Sequence, residues 1–87
     1  MGGSNKYDVL ADDVFLVSAS HAANDDIDLP AASGQDGRVL WIKNNHATRV
    51  LDIDADGSEL VDGSASISIG GLGSVCLICD GTEWHVF

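Results

Sequence analysis

The chain has 87 residues, 45% of them hydrophobic, with four basic and fourteen acidic residues giving a net charge of −10. A chain of this length forms one domain and buries only about 60% of its unfolded surface, while its hydrophobic content excludes wholesale disorder. Its acidity excludes nucleic acid and anionic membranes as partners, because both must be met by clustered Lys and Arg.

Residues 1–6 (Met1 to Lys6) read as a flexible arm leading into a single domain over 7–87. They lack the basic-then-apolar order of a signal peptide, and no later run approaches the roughly 20 apolar residues of a membrane span. Val9-Leu10 and Val14-Phe-Leu-Val17 predict an opening strand, or two short strands broken at Asp12-Asp13. Ile27 and Leu29 alternate with Asp26 and Asp28, and Pro30, which cannot donate to a ladder, closes that strand. Ala31 to Gly37 is a small-residue loop. The apolar run Val39-Leu-Trp-Ile42, inside Arg38 to Lys43, predicts a strand buried on both sides, and Asn44-Asn45 predicts a polar turn. Val50 to Ala55 places Leu51 and Ile53 opposite Asp52 and Asp54. Leu60-Val61, Ile67/Ile69 and Val75 to Cys79 predict three further short strands.

The chain closes with an apolar run, Asp80-Gly81, and an aromatic-rich run through Trp84 to Phe87, the pattern of a β-hairpin. Further Asp-Gly dipeptides stand at 36–37, 56–57 and 62–63. No window keeps the i, i+3, i+4, i+7 apolar spacing of a helix. Short strands separated by turn residues predict an all-β sandwich, barrel or prism.

Candidate chemistry is sparse. Asp52-x-Asp54-x-Asp56-Gly57 copies the first half of a calcium loop, in which alternate carboxylates converge on a hard cation. Glu59 then stands where the loop wants an aliphatic residue and Gly63 where it wants the bidentate glutamate. The competing reading of Asp52 and Asp54 is the solvated face of a strand. Cys76 and Cys79 have C-x-x-C spacing, but residues i and i+3 of a strand point to opposite faces, so they read as reduced, buried thiols. His21, His46 and His85 lie in separate segments. Gly70-Gly71-Leu72-Gly73 lacks the lysine of a phosphate loop and reads as a tight turn or bulge. No catalytic residue, cofactor or enzyme activity is expected. A basic protein surface, a divalent cation or a salty medium would suit the charge.

The order of segments resembles a small β module of tailed-phage virion proteins, found at the C-termini of tail fibres and as free-standing particle proteins. The resemblance rests on Tyr7…Asp13-x-Phe-Leu-Val17, Ile27-Asp-Leu-Pro30, Gly37-Arg38-Val-Leu-Trp-Ile-Lys-Asn44, Val61-Asp-Gly63 with Ile67-x-Ile69, and Val75…Asp80-Gly-Thr-Glu-Trp84. The acidity and the two cysteines depart from that pattern. The resemblance implies a virion structural role and a homotrimer, assembled in the host cytoplasm.

A trimer also has a physical motive, because short strands leave edges that invite pairing and a small chain gains core by sharing it around an axis. About 500 Å² of further apolar burial would be worth roughly 12 kcal/mol before ordering costs. Trp41, Val50, Val61, Trp84 and Phe87 are the expected trimer or core anchors, with Trp41, Val50 and Val61 assigned to the interface. Two virion roles compete. In the first, the chain is a head decoration or cement protein that clamps the major capsid protein, with Met1 to Lys6 as the contacting arm. In the second it is the tip of a tail fibre or spike, cut from its shaft, that binds a host receptor. A calcium-dependent carbohydrate-binding module built on Asp52, Asp54 and Asp56 lies outside the virion reading.

Overall fold

Leu51-Asp-Ile-Asp54 alternates apolar with acidic side chains, and a pleated strand sends the two kinds to opposite faces. In the computed structural model, which describes residues 6–17 and 26–87, this segment is strand β5 (Leu51–Asp54), with Leu51 and Ile53 fully buried. The same logic gives β1 (Lys6–Asp8), β2 (Phe15–Val17), β3 (Asp26–Asp28) and β4 (Val39–Lys43) before it. After it come β6 (Ser66–Ile69), β7 (Ser74–Cys79) and β8 (Trp84–Val86). The described residues contain no helix.

The strands form two four-stranded sheets, one in the order β1-β3-β5-β6 and the other in the order β2-β4-β7-β8. Successive strands from β1 to β5 alternate between the sheets, so the chain winds as a flat coil. Strands one turn apart therefore lie parallel: β1 beside β3, β3 beside β5, and β2 beside β4. Antiparallel strands complete both sheets, β6 against β5 and β7 against β4, with β8 closing the hairpin on β7.

The inward residues meet between the sheets. Ile27, Leu40, Leu51, Ile53, Val61, Leu77 and Trp84 are all fully buried. Trp84 carries the largest side chain in this core, and its indole N–H donates to the Pro30 carbonyl at 3.4 Å.

The Asp-Gly dipeptides do the turning expected of them. All four glycines, at 37, 57, 63 and 81, have positive φ, which glycine adopts without steric cost. At Asp62-Gly63 both residues are left-handed, and Val61 and Ser64 exchange two backbone hydrogen bonds of 2.7 and 2.9 Å across a two-residue turn. At the closing hairpin, Asp80 Oδ1 accepts from the Thr82 and Glu83 amides, each at 2.8 Å.

Several expectations are corrected. The Val39–Ile42 run is not buried on both sides: Leu40 and Ile42 face the core, whereas Trp41 is 45% exposed. Leu60-Val61 is not a strand. Val61 makes only isolated bridges, to Ser64 and Trp84, and it belongs to the core rather than to an interface. The first strand lies at Lys6–Asp8, not at Val9-Leu10, so Lys6 starts the sheet. Asn44 is no surface turn residue and is completely buried. The remainder of the expected arm, including Met1, and His21 lie outside the described residues.

Candidate functional site

Because the strands are in register, each sheet presents rows of side chains on its outer face, and the two outer faces differ in chemistry. On the β1-β3-β5-β6 sheet the outward positions are acidic. Asp8, Asp28 and Asp54 form one row; Lys6, Asp26 and Asp52 occupy the next, in which Asp26 is buried. The rows end on β6 at Ser66 and Ser68, and the Ser68 hydroxyl donates to Asp52 Oδ1 at 2.7 Å. Partial burial, then the charges of Asp26, Asp28 and Asp52, push the Asp54 carboxyl above its ordinary range. Asp56 lies past the end of β5 and is exposed, so the structure places Asp52 and Asp54 with aspartates of β3 rather than with Asp56. Among the described residues no group of three or more His, Cys, Asp or Glu side chains is arranged to hold a metal ion.

On the β2-β4-β7-β8 sheet the outward positions are apolar. Phe15 pairs with Trp41 and Trp41 with Cys76, and the Phe87 amide donates to the Cys76 carbonyl at 2.8 Å. One row thus crosses the whole sheet, from Phe15 through Trp41 and Cys76 to Phe87. The Phe15 and Trp41 rings stack at 5.1 Å with 18° between their planes. Beside them is a shallow recess of about 230 Å³, lined by Phe15, Val17, Trp41, Lys43, Ser74 and Val75 among others. Phe15 is 68% exposed and Phe87 76%. The chain has five aromatic residues in all, two Trp, two Phe and one Tyr, so three of the five stand on this face while only Trp84 is fully buried. No carboxylate occupies an outward strand position here. The charged or titratable groups at those positions are Lys43, Cys76 and His85.

The expected anchors therefore separate. Trp84 and Val61 hold the core, Trp41 and Phe87 lie on the outer row, and Val50, 51% exposed, precedes β5 of the other sheet. Phe15, the most exposed member of the row after Phe87, escaped the sequence reading because the apolar run Phe15-Leu-Val17 does not reveal which residue faces out. Cys76 is half-buried on the outer face. Cys79 lies in the core, where burial raises its thiol pKa and the sulfur accepts from the Gly81 amide. No family model, curated protein or solved structure matches this chain.

The rim of the apolar face holds His85 between two carboxylates. His85 Nε2 lies 2.7 Å from Asp80 Oδ2, and Nδ1 is 4.0 Å from Asp62 Oδ1. The bond to Asp80 raises the histidine's pKa, and the same bond with the Glu83 and Thr82 amides brings the Asp80 carboxyl down to about 2. Asp62 also accepts from the Val86 amide at 3.1 Å, and its own amide donates to the Trp84 carbonyl at 2.9 Å. With Leu60, whose carbonyl accepts from Trp84, it covers the free edge of β8.

Three of the motif residues behind the resemblance, Arg38, Tyr7 and Asn44, are scaffold. The Arg38 guanidinium donates to the carbonyls of Leu10 at 2.6 Å and Asp13 at 3.0 Å, fastening the β1–β2 crossover to β4. Tyr7 donates to Asp13 Oδ2 at 2.6 Å, and that contact pushes the phenol up to about 12. Asn44 donates to the carbonyls of Arg49, Ile69 and Gly70 and accepts from the His46 amide.

Proposed function

We propose that this chain is a non-enzymatic structural subunit of a tailed-phage particle, a homotrimeric decoration or cement protein that seats on the head shell and stabilises it. The observation that carries the reading is the outer row Phe15–Trp41–Cys76–Phe87. A chain with five aromatic residues has placed three of them where they add little to its own core. Such a face has a use in an assembly subunit, since contiguous exposed apolar surface marks sites of protein association. The resemblance of the segment order to phage β modules supports the choice of particle.

The opposed acidic face suits a shell subunit with a basic surface, and repulsion between in-register carboxylates is a cost that folding alone does not require. The test is co-sedimentation with heads of the phage that encodes the chain, assembled without it. Binding should be saturable, should weaken with added salt because the acidic face takes part, and should raise the heads' resistance to heat and osmotic shock. Heads that neither bind nor gain resistance refute the proposal.

A further inference from the structure

The geometry points to the outer face of the β2-β4-β7-β8 sheet as the seat of a second copy of this chain, with Phe15, Trp41 and Phe87 as the contact centre. This deepens the assembly reading above and rests on it.

Charge selects the occupant. The protein carries −10, yet the outward strand positions of this face hold no carboxylate, only Lys43, Cys76 and His85 as titratable groups. The opposite outer face carries Asp8, Asp28, Asp52 and Asp54, with Asp26 buried beneath them. Two copies meeting acidic face to acidic face would place four accessible carboxylates against four. Two copies meeting at the aromatic face bury rings and keep the acidic faces apart. A basic partner finds little electrostatic gain at the centre of this face, where Lys43 would repel it; the nearby carboxylates, Asp80 and Asp62, stand at the rim and are engaged with His85. A partner that is itself acidic and apolar at the contact fits, and this chain is both.

Shape and area agree. Phe87, 76% exposed, stands at one end of the row, and the recess of about 230 Å³ beside Phe15 and Trp41 lies at the other. Projection and hollow sit at different places on one face, so a neighbour's Phe87 can enter the hollow of the next copy. From their fractional exposures of 68%, 45% and 76%, the three rings offer on the order of 400 Å². That is about half of the roughly 800 Å² each partner gives to a standard interface, before Val17, Val39, Cys76 and Ile78 are included.

The experiment is analytical ultracentrifugation of the full chain from micromolar to millimolar concentration, beside Trp41→Lys, Phe87→Ser and Val50→Lys. The wild type and Val50→Lys should sediment as a multiple of 9.1 kDa. The two face variants should dissociate with the constant raised about 30-fold or more, as for loss of an aromatic hot spot. Far-UV circular dichroism and the emission of buried Trp84 in each variant confirm that the fold is kept. A wild type that stays at 9.1 kDa overturns the inference, and so does an oligomer that survives both face substitutions. Neither outcome depends on head binding. A monomer that still coats heads removes this inference and the trimeric state but keeps the particle assignment, and an oligomer that ignores heads removes the particle assignment alone.

Discussion

Replacing Asn44 with leucine tests how the two sheets are fastened together. Its side chain is completely buried, and Nδ2 donates to the carbonyls of Arg49 at 2.7 Å, Ile69 at 2.9 Å and Gly70 at 3.1 Å, while Oδ1 accepts from the His46 amide at 3.0 Å. These contacts join the end of β4 in one sheet to the start of β5 and the end of β6 in the other. Leucine has similar volume and no polar atom, so the substitution leaves little cavity and isolates the polar loss. Each net hydrogen bond is worth about 1 kcal/mol, and a buried carbonyl left unpaired costs about 1–3 kcal/mol. With the Ile69 carbonyl the most enclosed, the loss comes to about 3–5 kcal/mol. At about 0.05–0.15 kcal/mol per residue, a chain of this length has about 4–13 kcal/mol in total. The assay is urea unfolding followed by tryptophan emission and circular dichroism at fixed protein concentration. With a slope of about 1 kcal/mol per molar urea, the midpoint should fall by roughly 3–5 M. A loss under about 1 kcal/mol would show that the loop relaxes to water without Asn44 and that the fastening argument is wrong.

Three further outcomes follow from the geometry. Tyr7 is the only tyrosine, so absorbance at alkaline pH reads it alone, and its phenol should titrate near 12 in the wild type and close to the ordinary 10.0 in Asp13→Asn. Asp54→Asn should stabilise the protein by about 0.5–1 kcal/mol by relieving in-register repulsion. The folded-state pKa of Asp54 is raised, so its ionised form is the destabilising one; the advantage of the variant, measured by urea unfolding, should vanish as pH falls through the carboxylate range. His85 is shifted upward and Asp80 downward to about 2. The histidine's contribution is complete below its unfolded pKa of 6.5 and is lost as pH rises through the folded value, while that of Asp80 is complete above 3.8 and is lost as pH falls towards 2. Thermal melts should therefore show the wild type ahead of His85→Gln between about pH 4 and 6.5, and a constant gap from pH 4 to 9 would contradict the pairing.

Local patterning made much of this fold readable. Alternation in Leu51-Asp-Ile-Asp54 gave the strand and its faces, Asp-Gly gave the turns, and extended spacing separated Cys76 from Cys79. What stayed hidden depends on partners distant in sequence. Parallel pairing leaves no local signature, so nothing in Asp26-Ile-Asp28 announces that it lies beside Asp52-Ile-Asp54 and builds an acidic face. Asn44 has the composition of a turn residue, and three carbonyls from two other segments take it inside. Val39-Leu-Trp-Ile42 is apolar throughout, which a core strand and an association strand share, so exposure of Trp41 could not be read from it. Val61 looked like an interface residue until the Asp62-Gly63 turn folded it under Trp84.

The flat coil has a consequence for how quickly the molecule can form. Its parallel pairings join Tyr7 to Ile27, Ile27 to Ile53 and Phe15 to Trp41, separations of 20, 26 and 26 positions. Each turn of the winding must close a long loop before any ladder bond compensates for the lost freedom. Chains dominated by such distant pairings fold in milliseconds to seconds. During that interval the apolar side chains, Phe15, Trp41 and Phe87 among them, are open to other chains. Synthesis rate and local concentration, as much as final stability, will then set how much of the protein reaches its folded form.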